Sequence, residues 1–209
     1  ALLQAGQSAS RRRHPPRPDA GARAVPRCEL YRRYFEQQLT AANNEAIKQL
    51  QQENKILKQL SIIDDLTQVD NHRSFNKILA KEWRRLAREV MPLCLIICDV
   101  DFFKLYNDSF GHLSGDFCLQ KIAQAIRVCV HRPSDLVARY GGEEFAIILP
   151  NTDIMGAVHV AGQIRSRIRR LKIEHQASLI SPYLTLSLGV ASHIPDPHIN
   201  PEILITEAD

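Results

Sequence analysis

The residues best placed to do chemistry are acids set at the ends of apolar runs. In LCLIICDVDFF, residues 93 to 103, six apolar residues give way to Asp99 and Asp101; in RYGGEEFAIILP, residues 139 to 150, Glu143 and Glu144 stand between two glycines and another apolar run. If the first run is a buried strand, its acids emerge at the carboxyl end, the usual ligand edge of an α/β sheet. Period-two alternation puts Asp99 and Asp101 on one face and Val100 on the other. Gly141 and Gly142 predict a two-residue hairpin turn at positive φ, which returns Glu143 to the neighbouring strands. If Asp99 and Glu143 converge, their oxygens suit Mg2+ or Mn2+. Two such ions can hold a triphosphate and lower the pKa of an attacking hydroxyl. The blander readings are that the aspartates cap the next helix and that the glutamates are solvated on a surface hairpin. The second loses ground because acids crowded beside an apolar strand repel one another unless a cation or a proton intervenes.

Between these runs lies FFKLYNDSFGHLSGD, residues 102 to 116, with Lys104, Asn107, His112 and Asp116 spaced around Gly111 and Gly115. Its position after a strand predicts a loop whose backbone N–H groups face phosphate. Asn107 and Asp116 could read the amide edge of a purine, and a guanine suits that pair better than an adenine. By themselves, Asn and Asp near glycines are turn residues.

Around these segments helix and strand patterns alternate. Residues 74–89 read as a helix, 93–101 as a strand, 115–130 as a helix, and DLVARY and EEFAIILP as strands joined by the glycines. Another helix follows, with Ala157, Val160, Ala161, Ile164, Ile168 and Leu171 on one face, and then the strand YLTLSLGVAS. That order predicts an α/β sandwich around a central sheet. Upstream, residues 36–63 are almost free of Gly and Pro. Their 4-3 series Leu39, Asn43, Ala46, Leu50, Glu53, Leu57, Leu60 predicts a coiled-coil helix, with an amphipathic helix folded onto the domain as the alternative.

The net charge of +4 is unevenly spread. Residues 1–33 hold eight arginines against Asp19 and Glu29, which leaves 19 basic and 21 acidic residues for the rest. A basic groove for nucleic acid is therefore not expected in the folded part. Arg- and Pro-rich composition without apolar periodicity predicts a disordered basic linker over residues 1–33. No apolar run approaches the roughly 18 residues of a membrane span. The five cysteines, odd in number and without a CxxC pair, read as reduced core thiols of a cytoplasmic protein. The absence of an initiator Met suggests that the sequence is part of a longer chain.

DDLTQVDNHRSF (64–75), DVDFFKLYNDSFGHLSGD (99–116), RPSDLVARYGGEEFAIILP (132–150) and LTLSLGVA (184–191) together resemble the GGDEF-domain family of diguanylate cyclases. The resemblance spans residues 64–209. It implies a fold similar to nucleotidyl cyclases and the polymerase palm, and condensation of two GTP into cyclic di-GMP with release of pyrophosphate. It assigns Asp99, the Val100 carbonyl and Glu143 to two Mg2+ or Mn2+ ions per active site, with Glu143 also activating the ribose 3′-hydroxyl and Glu144 beside it. It places Phe102, Phe103 and Lys104 at the phosphates, Asn107 and Asp116 on guanine, and His112 at the substrate. The RxxD pair Arg132 and Asp135 stands at the offset of the family's inhibitory product site. One GTP per protomer implies a homodimer, which a coiled coil would favour. Two departures stand out: the family's LTGLxNRR reads LTQVDNHR here, and the sequence stops at Glu207–Asp209, where family members continue through a basic helix and a final strand. The domain is therefore expected to be truncated at its C-terminus. A GGDEF-like module that binds GTP or cyclic di-GMP without turnover is the alternative reading.

Overall fold

The computed structural model describes residues 27–209. The chain divides into two units, at residues 1–60 and 61–209. In the first, helix α1 runs from Arg27 to Leu60, about 50 Å at 1.5 Å per residue. It begins inside the stretch expected to be linker, because CELYRRYF contains no Gly or Pro to stop a helix; the remaining linker residues, 1–26, lie outside the described ones. Leu39, Ile47 and Leu50 are exposed on α1; the seam positions Leu57 and Leu60 lie outside the residues whose side chains are described. No helix among the described residues is long and apolar enough to cross a membrane.

The second unit is an α/β fold with helices on both faces of one five-stranded sheet. Strands β1 (Asp70–Asn71), β2 (Leu93–Val100), β3 (Leu136–Gly141), β4 (Glu144–Pro150) and β5 (Leu186–His193) lie in the order β1-β3-β4-β2-β5. β1 and β3 are parallel; the other neighbours are antiparallel. Helices α2 (His72–Glu89), α3 (Phe103–Phe110), α4 (His112–Arg127), α5 (Ile154–Leu171) and α6 (Glu202–Ala208) complete it.

The unbroken apolar run of β2 follows from burial on both faces. Cys94, Ile96, Cys98 and Val100 join a core with Cys118, Leu119, Ile122 and Ile126 of α4 and Ala157, Ala161, Ile164 and Ile168 of α5. Leu93, Leu95 and Ile97 turn the other way, to Phe75, Leu79, Trp83 and Leu86 of α2 and to Leu204 and Ala208 of α6. β4 divides likewise, with Phe145, Ile147 and Leu149 against Ala146 and Ile148. Four cysteines are buried and Cys28 is exposed; burial pushes the thiols of Cys98 and Cys118 up to about 12.

Two expectations are corrected. Residues 102–116 are not a loop but α3 and the first turn of α4, because Phe103 and Tyr106, three apart, bury one face of α3. Gly111, at φ 81°, breaks the two helices. Leu171 leaves the buried face of α5 at its end and is 38% exposed. Finally, α6 and β1 carry no pattern long enough to read, at seven and two residues.

Candidate active site

Three acids converge where β2 ends and the β3–β4 hairpin turns. Asp99 faces Ser187 across the β2–β5 ladder, and Val100 faces Leu186. Asp101, one residue beyond the strand, is fully engaged. Its Oδ2 accepts from Thr185 Oγ1 at 2.5 Å, its Oδ1 accepts from Ser187 Oγ at 2.6 Å, and its N–H donates to the Thr185 carbonyl at 3.1 Å. Asp99 has no such partner. Partial burial, and then the charges of Glu143, Glu144, Asp101 and Asp209, hold its carboxyl above the usual aspartate value of 3.8.

The hairpin differs from the expected one. Its turn residues are Gly142 and Glu143, flanked by the pair Gly141 and Glu144, and the strand register shifts between Arg139 and Gly141. Neither glycine takes positive φ. A Cβ on Gly141 would lie 2.9 Å from Glu144 Oε2, the tip of a side chain that can swing aside. A cavity of about 280 Å³ opens at this edge, lined by Asp99, Glu144, Ser187, Gly189, Ala208 and Asp209. Glu144 therefore shares the cavity with Asp99, while Glu143, in the turn, acts on Asp99 through its charge.

The turn is anchored from below by a residue that stands inside the hairpin motif with no role expected of it. Arg139 donates from Nε and Nη2 to the Gly142 carbonyl at 3.0 and 2.8 Å, and from Nη1 to Asp64 Oδ1 at 3.3 Å. Asp64 also accepts from the Thr67 N–H at 2.9 Å and the Thr67 hydroxyl at 2.6 Å. Burial alone would raise the Asp64 carboxyl, but Thr67 and the Arg139 guanidinium outweigh it and hold the group below 3.8. Its signal in the sequence is a lone arginine in the otherwise apolar β3, two residues before the glycine pair.

The substrate-reading segment is helical. Phe102 caps α3 in the left-handed region, at φ 55° and ψ 30°, a conformation that costs a residue other than glycine about 1–2 kcal/mol. The Phe103 side chain is buried and stacks on Tyr106, with ring centroids 6.1 Å apart, so only its backbone can face a ligand. Lys104, His112 and Asp116 are exposed. Asn107 is the informative one: its Oδ1 is buried without a hydrogen-bond partner. A Cβ on Gly115 would lie 1.9 Å from that oxygen, which explains a glycine inside α4. Such an orphan acceptor is costly unless a donor arrives.

Arg132 and Asp135 sit elsewhere, in the loop before β3. Arg132 is exposed and donates from Nη1 to Thr152 Oγ1 at 3.2 Å. The Asp135 N–H donates to the Arg132 carbonyl at 3.0 Å, and burial raises the Asp135 carboxyl. Their side chains form no ion pair. Beside this loop a cavity of about 700 Å³ between α5 and the residues that follow α4 is lined by His131, His159, Arg165, Arg167 and Arg170, a cationic surface distinct from the acidic edge.

The oxygen-rich acidic edge, with a raised and unpartnered Asp99, matches the donor chemistry of a hard divalent cation. Among the described residues, however, no group of three His, Cys, Asp or Glu side chains is arranged to hold a metal ion.

Comparison with known proteins agrees with this picture. The family described as Diguanylate cyclase, GGDEF domain, matches residues 61–209. Diguanylate cyclase DosC of Escherichia coli (strain K12) is 37% identical over 147 residues, which cover 70% of this chain and 31% of that protein. Diguanylate cyclase A of Treponema denticola is 41% identical over 101 residues, 48% of this chain and 26% of its own length. The chain thus spans about a third or less of these curated relatives. Among solved structures, Pseudomonas aeruginosa diguanylate cyclase SiaD, in complex with its activator SiaC, aligns with a TM-score of 0.64 and 32% identity over 87% of this chain and 70% of its own. The GGDEF domain of DgcB from Caulobacter crescentus, in complex with c-di-GMP, aligns with a TM-score of 0.64 and 27% identity, covering 71% of this chain and 86% of that one. The acidic hairpin at the end of β2, the two-faced sheet and these matches lead to one conclusion: the chain belongs to the GGDEF-domain family of diguanylate cyclases.

Proposed function

We propose that the protein condenses two GTP into cyclic di-GMP, releasing two pyrophosphates. The observation that carries this reading is the set of unpartnered acids Asp99, Glu143 and Glu144 gathered at one strand edge, with the Asp99 carboxyl raised by burial and by its neighbours' charge. In each of two steps, the 3′-oxygen of one GTP bonds to the α-phosphorus of the other, and the bond to pyrophosphate breaks. Glu143 accepts the hydroxyl proton at its carboxylate as general base. Asn107 Oδ1 and the Asp116 carboxylate accept from the amide and amino N–H groups of guanine, which satisfies the buried Asn107 oxygen. The N–H groups at the start of α3, which have no helical acceptor, donate to phosphate. Lys104 adds a cation there, and His112 faces the substrate from the start of α4.

Asp99, the Val100 carbonyl and Glu143, with Glu144 beside them, would hold two Mg2+ or Mn2+ ions. When bound, these supply charge neutralisation of the triphosphate and a lowered hydroxyl pKa.

One chain offers one such set of acids, so the two nucleotides are met by two copies in a homodimer, which pairing through α1 would favour. Arg132 and Asp135 bind the product and inhibit the cyclase; the arginine suits a phosphate and a guanine. A GTP-consuming reaction places the domain in the cytoplasm.

The test is product analysis of the full-length protein with GTP or ATP and Mg2+. Formation of cyclic di-GMP from GTP, lost in Glu143→Gln with the fold retained, is the expected result. GTP binding without turnover would leave a binding module, and full activity of Glu143→Gln would sink the mechanism.

A further inference from the structure

His175 is the one fully buried histidine among the described residues, and the reaction sketched above does not use it. It lies in the segment between α5 and β5, fixed at both sides of its own backbone. Its N–H donates to the Pro182 carbonyl at 2.9 Å, and its carbonyl accepts from the Ser178 N–H at 3.1 Å. From there its ring reaches 73 residues back along the chain, placing Nε2 3.1 Å from the Phe102 carbonyl. A carbonyl can only accept, so Nε2 carries the proton. The ring meets the edge of Tyr106, with centroids 5.3 Å apart at 85°, and Nδ1 is buried with no partner.

The Phe102 carbonyl is therefore held twice, by His175 and by the Tyr106 N–H at 3.1 Å, which makes the first bond of α3. Phe102 is also the left-handed residue of this turn, and a non-glycine residue keeps that conformation only where its surroundings impose it. In a planar trans peptide the carbonyl of one residue and the N–H of the next point in opposite directions. Fixing the Phe102 carbonyl inward thus turns the Phe103 N–H outward, off the start of α3 and beside the end of β2, together with the N–H of Lys104.

We propose that His175 is a positioning residue for the triphosphate: by pinning the Phe102 carbonyl it aims the N–H groups of Phe103 and Lys104 at phosphate. The proposal rests on the GTP reading above and specifies how the phosphates of that substrate are met. It touches neither the acids nor the guanine contacts, so its loss falls on one part of the ligand only.

Two variants of the full-length protein test it. His175→Met fills the volume without an N–H donor, and His175→Gln restores one. In His175→Met, GTP binding weakens about tenfold while guanosine binding stays within about twofold of wild type, the loss expected for misaligned charge-assisted donors. His175→Gln recovers GTP affinity to within about threefold. Equal losses for GTP and guanosine, or unchanged GTP affinity in His175→Met, overturn the positioning role. A measurement on the wild type keeps the test decisive even where the methionine variant does not fold. The amide resonances of Phe103 and Lys104 shift with inorganic triphosphate, and the imidazole resonances show a proton on Nε2. Absence of either overturns the proposal. Failure of the wild type to bind GTP overturns instead the GTP reading on which it rests.

Discussion

Asp64 and Asp99 are both acids of the sheet domain, yet the fold treats them in opposite ways. Asp64 accepts two hydrogen bonds from Thr67 and faces Arg139, and the balance of burial and these partners lowers its carboxyl. Asp99 has no hydrogen bond, and burial, then the charges of four other acids, raise its carboxyl. The first region is complete within the chain; the second is left with a charge imbalance that a cation or a proton can relieve. The contrast separates an acid that holds the architecture from one that awaits a ligand, a distinction that residue type cannot make.

The largest effect expected at the unbalanced edge is on turnover. Glu143→Gln lowers cyclic di-GMP synthesis by about 100- to 10,000-fold, the span of general acid–base contributions, as a discontinuous product assay would show. Asp99→Asn does the same to activity and the opposite to stability. Because the folded chain binds a proton at Asp99 more readily than the unfolded chain, stability falls as pH rises from 3.8 through the raised folded value. Thermal melting of Asp99→Asn therefore shows a gain at neutral pH that disappears once the pH drops below 3.8. Asp64→Asn reverses the sign. Its carboxyl stabilises the fold above 3.8 and loses that contribution as pH falls through the lowered folded value, so the variant is less stable at neutral pH and the penalty fades in acid. Melting curves of the two variants that move in the same direction would break the contrast.

Next in size is Gly115→Ala, which forces a Cβ against Asn107 Oδ1. It costs about 1–3 kcal/mol by overpacking and erodes the preference for GTP over ATP, measured as a ratio of kcat/KM. Arg139→Ala removes the tie between Asp64 and the Gly142 carbonyl; chemical denaturation should register about 2 kcal/mol, the worth of hydrogen bonds to a charged group. The smallest effect on stability belongs to Arg132→Ala. Arg132 is exposed, so the change stays within about 0.5 kcal/mol, while inhibition by added cyclic di-GMP is lost. Undiminished inhibition would remove Arg132 from the product site.

Much of the fold could be read in advance where one physical signal dominated. The continuous apolar runs of β2 and β4 announced buried strands, and the 3.6-residue period of α5 gathered Ala157, Ala161, Ile164 and Ile168 on the face that enters the core. The glycines misled in two ways. Gly111 and Gly115 suggested a loop, but only Gly111 breaks a helix, and Gly115 yields room to an asparagine. Gly141 and Gly142 suggested positive φ, but the hairpin closes without it. Composition tells that a small residue is required and is silent on whether torsion or volume requires it.

The sequence by itself determined which runs form buried strands, that acids stand at their ends, and, through the order of its motifs, the family. Local periodicity and the placement of charge after an apolar run carry that much. Only the tertiary structure decided which acids are spent and which are free. Asp101 is satisfied by Thr185 and Ser187, more than 80 residues away, Asp64 by Arg139, 75 residues away, and the Phe102 carbonyl by His175. Those pairings depend on strand register and on loops meeting in space, and no interval along the chain encodes them.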